Sequence, residues 1–415
     1  MRKIGTDIFI VQLIVCVLIL FSLSPAIAAG DFVLGMSAPF TGPSKRLGLE
    51  LYRGSMAYFH HINENGGING SKIVIKAYDD GYNPTPAIKN TIRLVEQDAA
   101  MLLFNYVGTP TVTRILPLLK NYDEKQIYLF FPFTGAQPQR EPPYDRFVFN
   151  LRASYRQETK GLVDNLINIG RNRIGIFYQA DAYGRSGWDG VRRALSAHGL
   201  QIAAEATYRR GIQYTQSLME QVNILKKVDI DGVISIGSYA ACAAFIRDAR
   251  DAGLTQPIAN LSFVGSESLL DLLTEISKEK GKDYTKDLIN SQVVPSYEES
   301  SLPAVQEYKK LIQRYPFTSP INRSDDTSRS FKPSFVSFEG FLNAKVLVEI
   351  LLRRTRSIEI RGLKETVETV RNLDIGIESP VTFNPNKHQG LNKIYYTTVK
   401  NNRFIPIESW KVWEK

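Results

Sequence analysis

Residues 32–84 read FVLGMSAPFTGPSKRLGLELYRGSMAYFHHINENGGINGSKIVIKAYDDGYNP. The apolar run 32–38 leads into a loop rich in Pro, Gly and Ser, and the amphipathic segment 47–63 follows that loop. A Gly66-Gly67 turn then separates this segment from a second apolar run, 73–77. This order predicts a strand, a loop, a helix and a strand, which together form one βαβ unit. Such units place ligand sites beyond the carboxyl ends of their strands.

The same alternation of apolar strands and amphipathic helices continues along the chain. Further strands are predicted at 100–107, 126–131, 147–151, 173–178, 201–208, 230–236 and 257–264. Helices are predicted between them at 110–121, 155–169, 187–198, 216–226 and 241–252. Strands separated by helices in this way predict an α/β protein whose parallel sheets are covered by helices on both faces.

The length of this pattern predicts two wound sheets and therefore two lobes. The first sheet is expected over 29–149 and the second over 150–265. The remainder, 266–415, contains predicted helices at 303–314, 334–354 and 363–371 and predicted strands at 381–383 and 394–398. It is too short for a third wound sheet, so we expect it to return and complete both lobes. The polar segment 315–333 is interpreted as a surface loop.

The first 28 residues are typical of a secretory signal peptide. Arg2 and Lys3 precede an apolar run at 8–23, and Ala26-Ile27-Ala28 fits the small-x-small cleavage rule. The alternative is a membrane anchor, for which an apolar run of about 16 residues is short. Cys16 lies inside the apolar run and follows Val15 rather than a small residue, so lipidation is not expected. We predict an exported, periplasmic protein.

Charge and cysteine content narrow the class of protein further. Cleavage after Ala28 would shorten the 415-residue chain to 387 residues and lower its net charge from +9 to +8. The densest cationic cluster comprises Arg353, Arg354, Arg356, Arg361 and Lys364. It falls where one predicted helix ends and the next begins, so we interpret it as a solvated helix end, and we expect a monomer without a nucleic-acid partner. Only Cys242 would remain, which excludes an internal disulfide.

Five loops follow predicted strands and would meet at the carboxyl ends of the two sheets. They are Gly108-Thr109-Pro110-Thr111, Phe133-Thr134-Gly135-Ala136, Tyr183-Gly184, Ser238-Tyr239 and Gly265-Ser266-Glu267. Thr109 and Pro110 suit the start of a helix, whose free N–H groups bind carboxylates or phosphates. Each loop alone is equally explained as a helix cap or a turn. Five such loops at the same end of two sheets indicate a cleft that binds a ligand.

Enzyme signatures are missing from the sequence. The four histidines, His60, His61, His198 and His388, lack the spacing of metal ligands. There is no HExxH motif, no GxSxG elbow, no Walker loop and no GxGxxG after a strand. Asp79 and Asp80 look like an acid pair, but adjacent residues at a strand end point to opposite faces, so we interpret them as a turn-forming pair. We therefore expect no enzyme activity, no cofactor and no metal.

Several phrases of the sequence resemble the periplasmic solute-binding proteins of the leucine/isoleucine/valine type, which deliver ligands to ABC importers. The matching phrases are APFTGPSKRLG, INENGGINGSKI, YDDGYNP, RLVEQD, YVGTPT, PFTGA, YGRSGWDG, FVGSE and SFEGFLNAKVLVEIL. They extend from about residue 32 to 352 in the order of the family, so the resemblance covers nearly the whole mature chain. Each phrase is weak alone, whereas the ordered set is specific.

The resemblance implies the type I periplasmic binding protein fold, in which two Rossmann-like lobes joined by three crossovers close around a ligand. It assigns 29–149 plus 266–376 to the first lobe and 150–265 plus 377–415 to the second.

The resemblance also gives the loops roles in binding an amino acid. Gly108 and Thr109 would donate N–H and hydroxyl groups to the α-carboxylate, and Thr134 and Gly135 would add a hydroxyl and a carbonyl. Tyr183 and Tyr239 would close over the ligand from the second lobe. Glu267 would pair with the α-ammonium, because each ligand charge needs a partner once closure removes water.

The sequence departs from the family pattern at three points. Gly108 stands where the family has a carboxylate-binding Ser, which leaves Thr109 to supply the hydroxyl. Leu47 stands where an aromatic residue often borders the side-chain pocket. The disulfide of some members cannot form. These departures leave the ligand open, since members of this family also bind amides, urea and aromatic acids.

The leading hypothesis from the sequence is an extracytoplasmic substrate-binding protein of an ABC importer, with a membrane permease as partner. Its ligand would be an amino acid, branched-chain or similar. The alternatives are a secreted receptor module that senses amides, urea or aromatic acids, and an exported enzyme. The sequence does not separate transport from sensing, because both functions depend on closure of the lobes.

Overall fold

The computed structural model describes residues 30–298, 301–321, 332–354 and 361–415. The predicted signal peptide lies outside these residues, as do Arg356 and most of the polar loop predicted at 315–333. Within the described ranges, no helix combines the length and apolarity that a membrane span requires. Cys242 is buried and free.

Five parallel strands form the first sheet, in the order β2-β1-β3-β4-β5. They are β1 (Phe32–Ala38), β2 (Ile73–Asp79), β3 (Leu102–Phe104), β4 (Leu129–Phe130) and β5 (Val148–Phe149). The helices α1 (Lys45–Glu64), α2 (Pro84–Glu96) and α3 (Thr109–Asn121) connect the first four strands. Every residue of β3, β4 and β5 is buried, as expected for parallel strands covered on both faces.

Seven strands form the second sheet, in the order β12-β11-β10-β9-β8-β6-β7. They are β6 (Ile174–Gln179), β7 (Ala204–Tyr208), β8 (Gly232–Ile236), β9 (Ile258–Asn260), β10 (Leu288–Gln292), β11 (Tyr395–Lys400) and β12 (Arg403–Pro406). Its helices are α4 (Tyr155–Asn168), α5 (Ala182–Ala197), α6 (Met219–Lys226), α7 (Tyr239–Asp251) and α8 (Ser266–Lys280). The pairs β10–β11 and β11–β12 are antiparallel, and the other pairs are parallel.

After β10 the chain returns to the first lobe, where α9 (Pro303–Arg314), α10 (Phe335–Leu352) and α11 (Leu363–Glu368) join its hydrophobic core. Helix α10 crosses α1 so closely that a Cβ on Gly54 would lie 1.7 Å from the carbonyl oxygen of Ser337. The chain then runs back to the second sheet as β11 and β12. It crosses between the lobes three times, which confirms the two-lobed α/β fold and its three-crossover hinge.

Several predicted boundaries differ from the structure. The strand predicted at 381–383 is wrong, because Val381 forms only an isolated bridge with Leu373. Helix α5 begins at Ala182 rather than at 187, because the Asp181 carboxylate accepts a hydrogen bond from the Tyr183 N–H at 2.9 Å and caps the helix. The strand predicted at 257–264 ends at Asn260, and a short 3-10 turn at Ser262–Val264 follows.

Helices α2 and α8 and strands β10 and β12 were not predicted from the sequence. Strand β10 was hidden by its polar residues, which the structure buries: Asn290 Nδ2 donates to Ser266 Oγ at 2.9 Å and Asn260 Nδ2 donates to Asn290 Oδ1 at 2.9 Å. Because β10 pairs with β9 and β11, the chain leaves the second sheet only after Gln292, whereas the family resemblance assigned 266–376 to the first lobe.

Candidate functional site

The carboxyl ends of the two sheets face each other, and aromatic side chains from both lobes meet between them. The Phe263 ring, which follows β9, lies 4.6 Å from the Tyr183 ring, 5.3 Å from the Phe133 ring and 5.8 Å from the Tyr82 ring, measured between centroids. The Tyr155 ring lies 5.2 Å from that of Tyr183. We call these five residues the aromatic cluster; each is at most 3% exposed.

Thr109 and Thr134 come together beside this cluster, as the sequence predicted for two loops that share one sheet edge. Their hydroxyl oxygens are 2.7 Å apart, and both side chains are buried. Thr109 is the first residue of α3, so its hydroxyl lies at the end of the helix where N–H groups are free.

Gly108 occupies the N-cap of α3 with a φ of 100°, a conformation that favours glycine. A Cβ at this position would lie 2.1 Å from Cε2 of Tyr82. The N–H of Gly108 donates to the carbonyl of Phe133 at 3.1 Å. The Tyr82 ring therefore occupies the space that a side chain at residue 108 would need.

Gly135 contacts both the backbone and the ring of Tyr155. Its carbonyl accepts a hydrogen bond from the Tyr155 N–H at 2.7 Å, and a Cβ on Gly135 would lie 2.6 Å from Cδ1 of that ring. Tyr155 in turn packs against Tyr183, whose hydroxyl is buried and has no hydrogen-bond partner in the described part of the chain. Burial raises the pKa of Tyr183 well above its ordinary value, so this hydroxyl stays a donor.

Leu47 and Tyr239 meet at the edge of the cleft. A Cβ on Gly265 would lie 2.7 Å from Cδ2 of Leu47 and 3.7 Å from Cδ1 of Tyr239. The Tyr239 hydroxyl accepts a hydrogen bond from the backbone N–H of Arg46 at 3.3 Å. These contacts join the first turn of α1 in the first lobe to the second lobe.

Glu267 accepts hydrogen bonds from the segments that follow β10. Its Oε1 accepts hydrogen bonds from the Tyr297 hydroxyl at 2.6 Å and from the Phe335 N–H at 3.1 Å. Its Oε2 is buried and has no hydrogen-bond partner among the described residues. Burial raises the pKa of Glu267 to about 7, although the hydrogen bonds from Tyr297 and Phe335 oppose this rise.

Glu267 is one of the residues that line a groove of about 1520 Å³ between the first turn of α1, helix α8 and strand β12, which we call the side groove. Charged residues of both signs border it, among them Lys45, Arg46, Glu50 and Arg403. The structure thus gathers Gly108, Thr109, Thr134, Gly135 and Tyr183 at the aromatic cluster. Leu47 and Tyr239 lie at its edge, and Glu267 lies in the side groove.

The first crossover between the lobes contains a buried ionic network that was not predicted from the sequence. Arg152 lies 3.7 Å from Glu158 of α4 and 3.6 Å from Glu339 of α10, and its guanidinium stacks 4.6 Å from the centroid of Phe133. Burial raises the pKa of Glu339 to about 7. Arg152 directly follows the predicted strand 147–151. A charged residue at the end of a buried strand was the sequence signal that could have indicated this network.

Tyr82, Tyr155 and Phe263 were also missed as site residues. Tyr82 follows the acid pair, which shapes this loop as predicted: Asp80 Oδ1 accepts the Tyr82 N–H at 2.8 Å and Asp79 Oδ1 accepts the Phe40 N–H at 2.8 Å. The useful signal for Tyr82 and Phe263 was an aromatic residue three positions after the end of a strand. Across the described ranges, no group of three or more His, Cys, Asp or Glu side chains is arranged to hold a metal ion.

The chain matches the family model of periplasmic binding proteins over residues 32–403. It therefore belongs to the periplasmic binding protein family.

Individual relatives agree with this assignment. An amino acid binding protein from Pseudomonas aeruginosa is 27% identical over 231 residues, which span 55% of this chain and 59% of that relative. A possible leucine/isoleucine/valine-binding protein from Rhodopirellula baltica SH 1 superposes with a TM-score of 0.81 and 28% identity, covering 94% of this chain and 98% of the other. A substrate-binding periplasmic protein from Ralstonia solanacearum gives a TM-score of 0.79 at 27% identity, over 91% and 99% of the two chains. These relatives are solute-binding proteins.

Proposed function

We propose that this protein binds an amino acid in the cleft between its lobes, outside the cytoplasm, and delivers it to a membrane ABC permease. The observation that carries the proposal is the Thr109–Thr134 pair, 2.7 Å apart at the N-terminus of α3 and facing the second lobe across the aromatic cluster. The names of the relatives in Pseudomonas aeruginosa and Rhodopirellula baltica support an amino acid, branched-chain or similar, as the ligand.

The chemistry of this pair suits a carboxylate. The first N–H groups of a helix have no partner within the helix, and its N-terminus carries partial positive charge. The two hydroxyls can turn their protons toward an anion that lies next to the pair, and burial strengthens each of these hydrogen bonds. In this proposal the ligand carboxylate lies at Thr109 and Thr134, with the backbone of Gly108 and Gly135 beside it.

The ammonium and the side chain of the ligand have their own proposed partners. Glu267 would pair with the α-ammonium, and its buried Oε2, which has no hydrogen-bond partner among the described residues, supports this role. Tyr183 and Tyr239 would close over the ligand from the second lobe. Leu47, at the edge of the cleft, would border the ligand side chain.

Isothermal titration calorimetry on protein freed of bound ligand, across the amino acids and small amides, tests the proposal. We expect micromolar or tighter binding of at least one amino acid. Thr134→Val removes the hydroxyl at nearly constant volume and should raise the Kd about tenfold or more, because a hydrogen bond to a charged group is lost.

Thr113→Val provides the matched control. Thr113 lies one turn further along α3, and its hydroxyl donates to the carbonyl of Thr109 at 2.7 Å. This control should bind like the unmodified protein. Failure of every amino acid to bind at millimolar concentration would refute the function, whereas unchanged affinity in Thr134→Val would refute only the role of this residue.

A further inference from the structure

We propose that Arg140 is a positioning residue for the carboxylate of the ligand. This inference rests on the proposed function and deepens it, because it adds a residue that acts on the ligand through Thr134. Arg140 ends a short 3-10 turn, Pro138–Arg140, six residues after Thr134. Its guanidinium holds the loop of Thr134 in place and puts a positive charge close to the hydroxyl that binds the carboxylate.

The Arg140 guanidinium joins the Thr134 loop to the first crossover between the lobes. Its Nη2 donates to the carbonyl of Arg152 at 3.1 Å and to the carbonyls of Thr134 and Ala153, both at 3.4 Å. Gln139 Nε2 also donates to the carbonyl of Thr134, at 3.3 Å. Loss of the Arg140 side chain would therefore weaken the connection between this loop and the crossover.

These contacts occupy the backbone of Thr134 and leave its hydroxyl for a ligand. The N–H of Thr134 donates to the carbonyl of Pro132 at 2.8 Å, and its own carbonyl accepts the two side-chain hydrogen bonds just described. The next carbonyl, that of Gly135, accepts the N–H of Tyr155 at 2.7 Å. Because both carbonyls already accept hydrogen bonds, the loop offers a ligand the Thr134 hydroxyl, which can donate to an anion.

The charge of Arg140 has no counter-ion of its own. Its Nε and Nη1 are buried without a hydrogen-bond partner in the described part of the chain. Glu158 and Glu339, which act on it electrostatically, form their ion pairs with Arg152 instead. Burial lowers the pKa of Arg140 to about 9, so the guanidinium still carries its charge at neutral pH. A buried cation without a counter-ion is costly, and an anion bound at the neighbouring hydroxyl would reduce that cost.

Two variants of Arg140 separate its charge from its packing. Arg140→Gln can still donate to the Thr134 carbonyl but has no charge, whereas Arg140→Lys keeps the charge. The probe is leucine, or the amino acid that binds most tightly in the calorimetric screen where that is not leucine, titrated at pH 8. We expect Arg140→Gln to raise the Kd about tenfold, because a charge one residue away from the anion acts through a low dielectric. Arg140→Lys should restore most of the affinity.

Arg250→Gln is the matched control. Arg250 is buried and also donates to three backbone carbonyls, those of Leu254 at 2.7 Å, Gln256 at 3.0 Å and Lys286 at 2.9 Å. These three residues precede the parallel strands β9 and β10, so Arg250 lies at the sheet edge opposite to the cleft. The control should lower the melting temperature as Arg140→Gln does, and its Kd should be unchanged.

Glu339→Gln gives a test of the opposite sign. It removes an acid that lies 3.6 Å from Arg152 and also acts on Arg140. Burial raises the pKa of Glu339 to about 7, so this carboxyl is charged at pH 8 although the folded protein favours its uncharged form. The neutral variant should therefore fold even if Arg140→Gln does not. We expect it to bind the probe about threefold more tightly, because the buried cations then act on the ligand carboxylate with less compensation.

The remaining outcomes decide against the role of Arg140. A folded Arg140→Gln protein with unchanged Kd, an equal loss of affinity in Arg140→Lys and Arg250→Gln, or weaker binding by Glu339→Gln would overturn it and leave the proposed function standing. Absence of binding by every amino acid to the unmodified protein would overturn both.

Discussion

Glu267 offers the sharpest physical test of the structure, because its carboxylate is buried with one oxygen unpaired. Burial raises the pKa of this group from its ordinary value of 4.5 to about 7. A raised pKa means that the folded protein favours the protonated carboxyl. The contribution of the protonated Glu267 carboxyl to the free energy of unfolding is therefore complete below about pH 4.5. It falls as the pH rises and is lost above about pH 7.

The magnitude follows from the difference between the two pKa values. Each unit corresponds to about 1.4 kcal/mol, so Glu267 should remove about 2–3 kcal/mol from the free energy of unfolding between pH 5 and pH 8. Glu267→Gln does not titrate, yet its side-chain oxygen can still accept from Tyr297 and Phe335. The variant should therefore gain about 2–3 kcal/mol relative to the unmodified protein over this pH range.

Urea denaturation at both pH values, followed by tryptophan fluorescence and by circular dichroism, measures this double difference. The two signals must report the same transition for the free energies to be compared. Glu275→Gln is the matched control, since Glu275 lies on the same helix and is exposed. It should show a double difference close to zero. A value for Glu267→Gln below about 0.5 kcal/mol would refute the burial of this carboxylate.

Two other substitutions probe the site and the hinge. Gly108→Ser should destabilise the protein by about 2 kcal/mol or more, because its Cβ would lie 2.1 Å from the Tyr82 ring at a φ of 100°. Thermal melting measures this loss, and adding Tyr82→Ala to the same chain should recover part of it. A Gly108→Ser protein as stable as the unmodified one would contradict the packing described. Arg152→Met should lower the free energy of unfolding by about 3–5 kcal/mol, because it removes the guanidinium nearest to two buried glutamates. Urea denaturation measures this loss, and a loss under about 1 kcal/mol would show that the network is not buried as a unit.

The sequence was informative wherever a property depends on neighbours along the chain. The apolar run 32–38 is strand β1 at the predicted residues, and Thr109 and Thr134 meet because each follows a strand of the same parallel sheet. Strand ends and helix starts are local signals, so the loops of the cleft could be found without knowing the packing.

The direction of Glu267 could not be found in this way. Its partners, Tyr297 and Phe335, lie 30 and 68 residues further along the chain and reach it only after α10 returns to the first lobe. Tyr82 was not predicted for a related reason. Its φ of 63° is rare for a residue with a side chain, and this backbone conformation directs the ring from a polar loop into the cleft. Long-range packing fixed both side chains.

The closeness of α1 and α10 has a consequence for the order in which the chain acquires its structure. Ser55 Oγ donates to the carbonyl of Gly340, across 285 residues of sequence. During synthesis, strands β6 to β10 are all available before α10 has been made, so the second lobe can form most of its sheet while the first still lacks a major part of its core. Contacts between such distant residues form slowly. The first lobe therefore cannot complete its core until the chain has been made as far as α10.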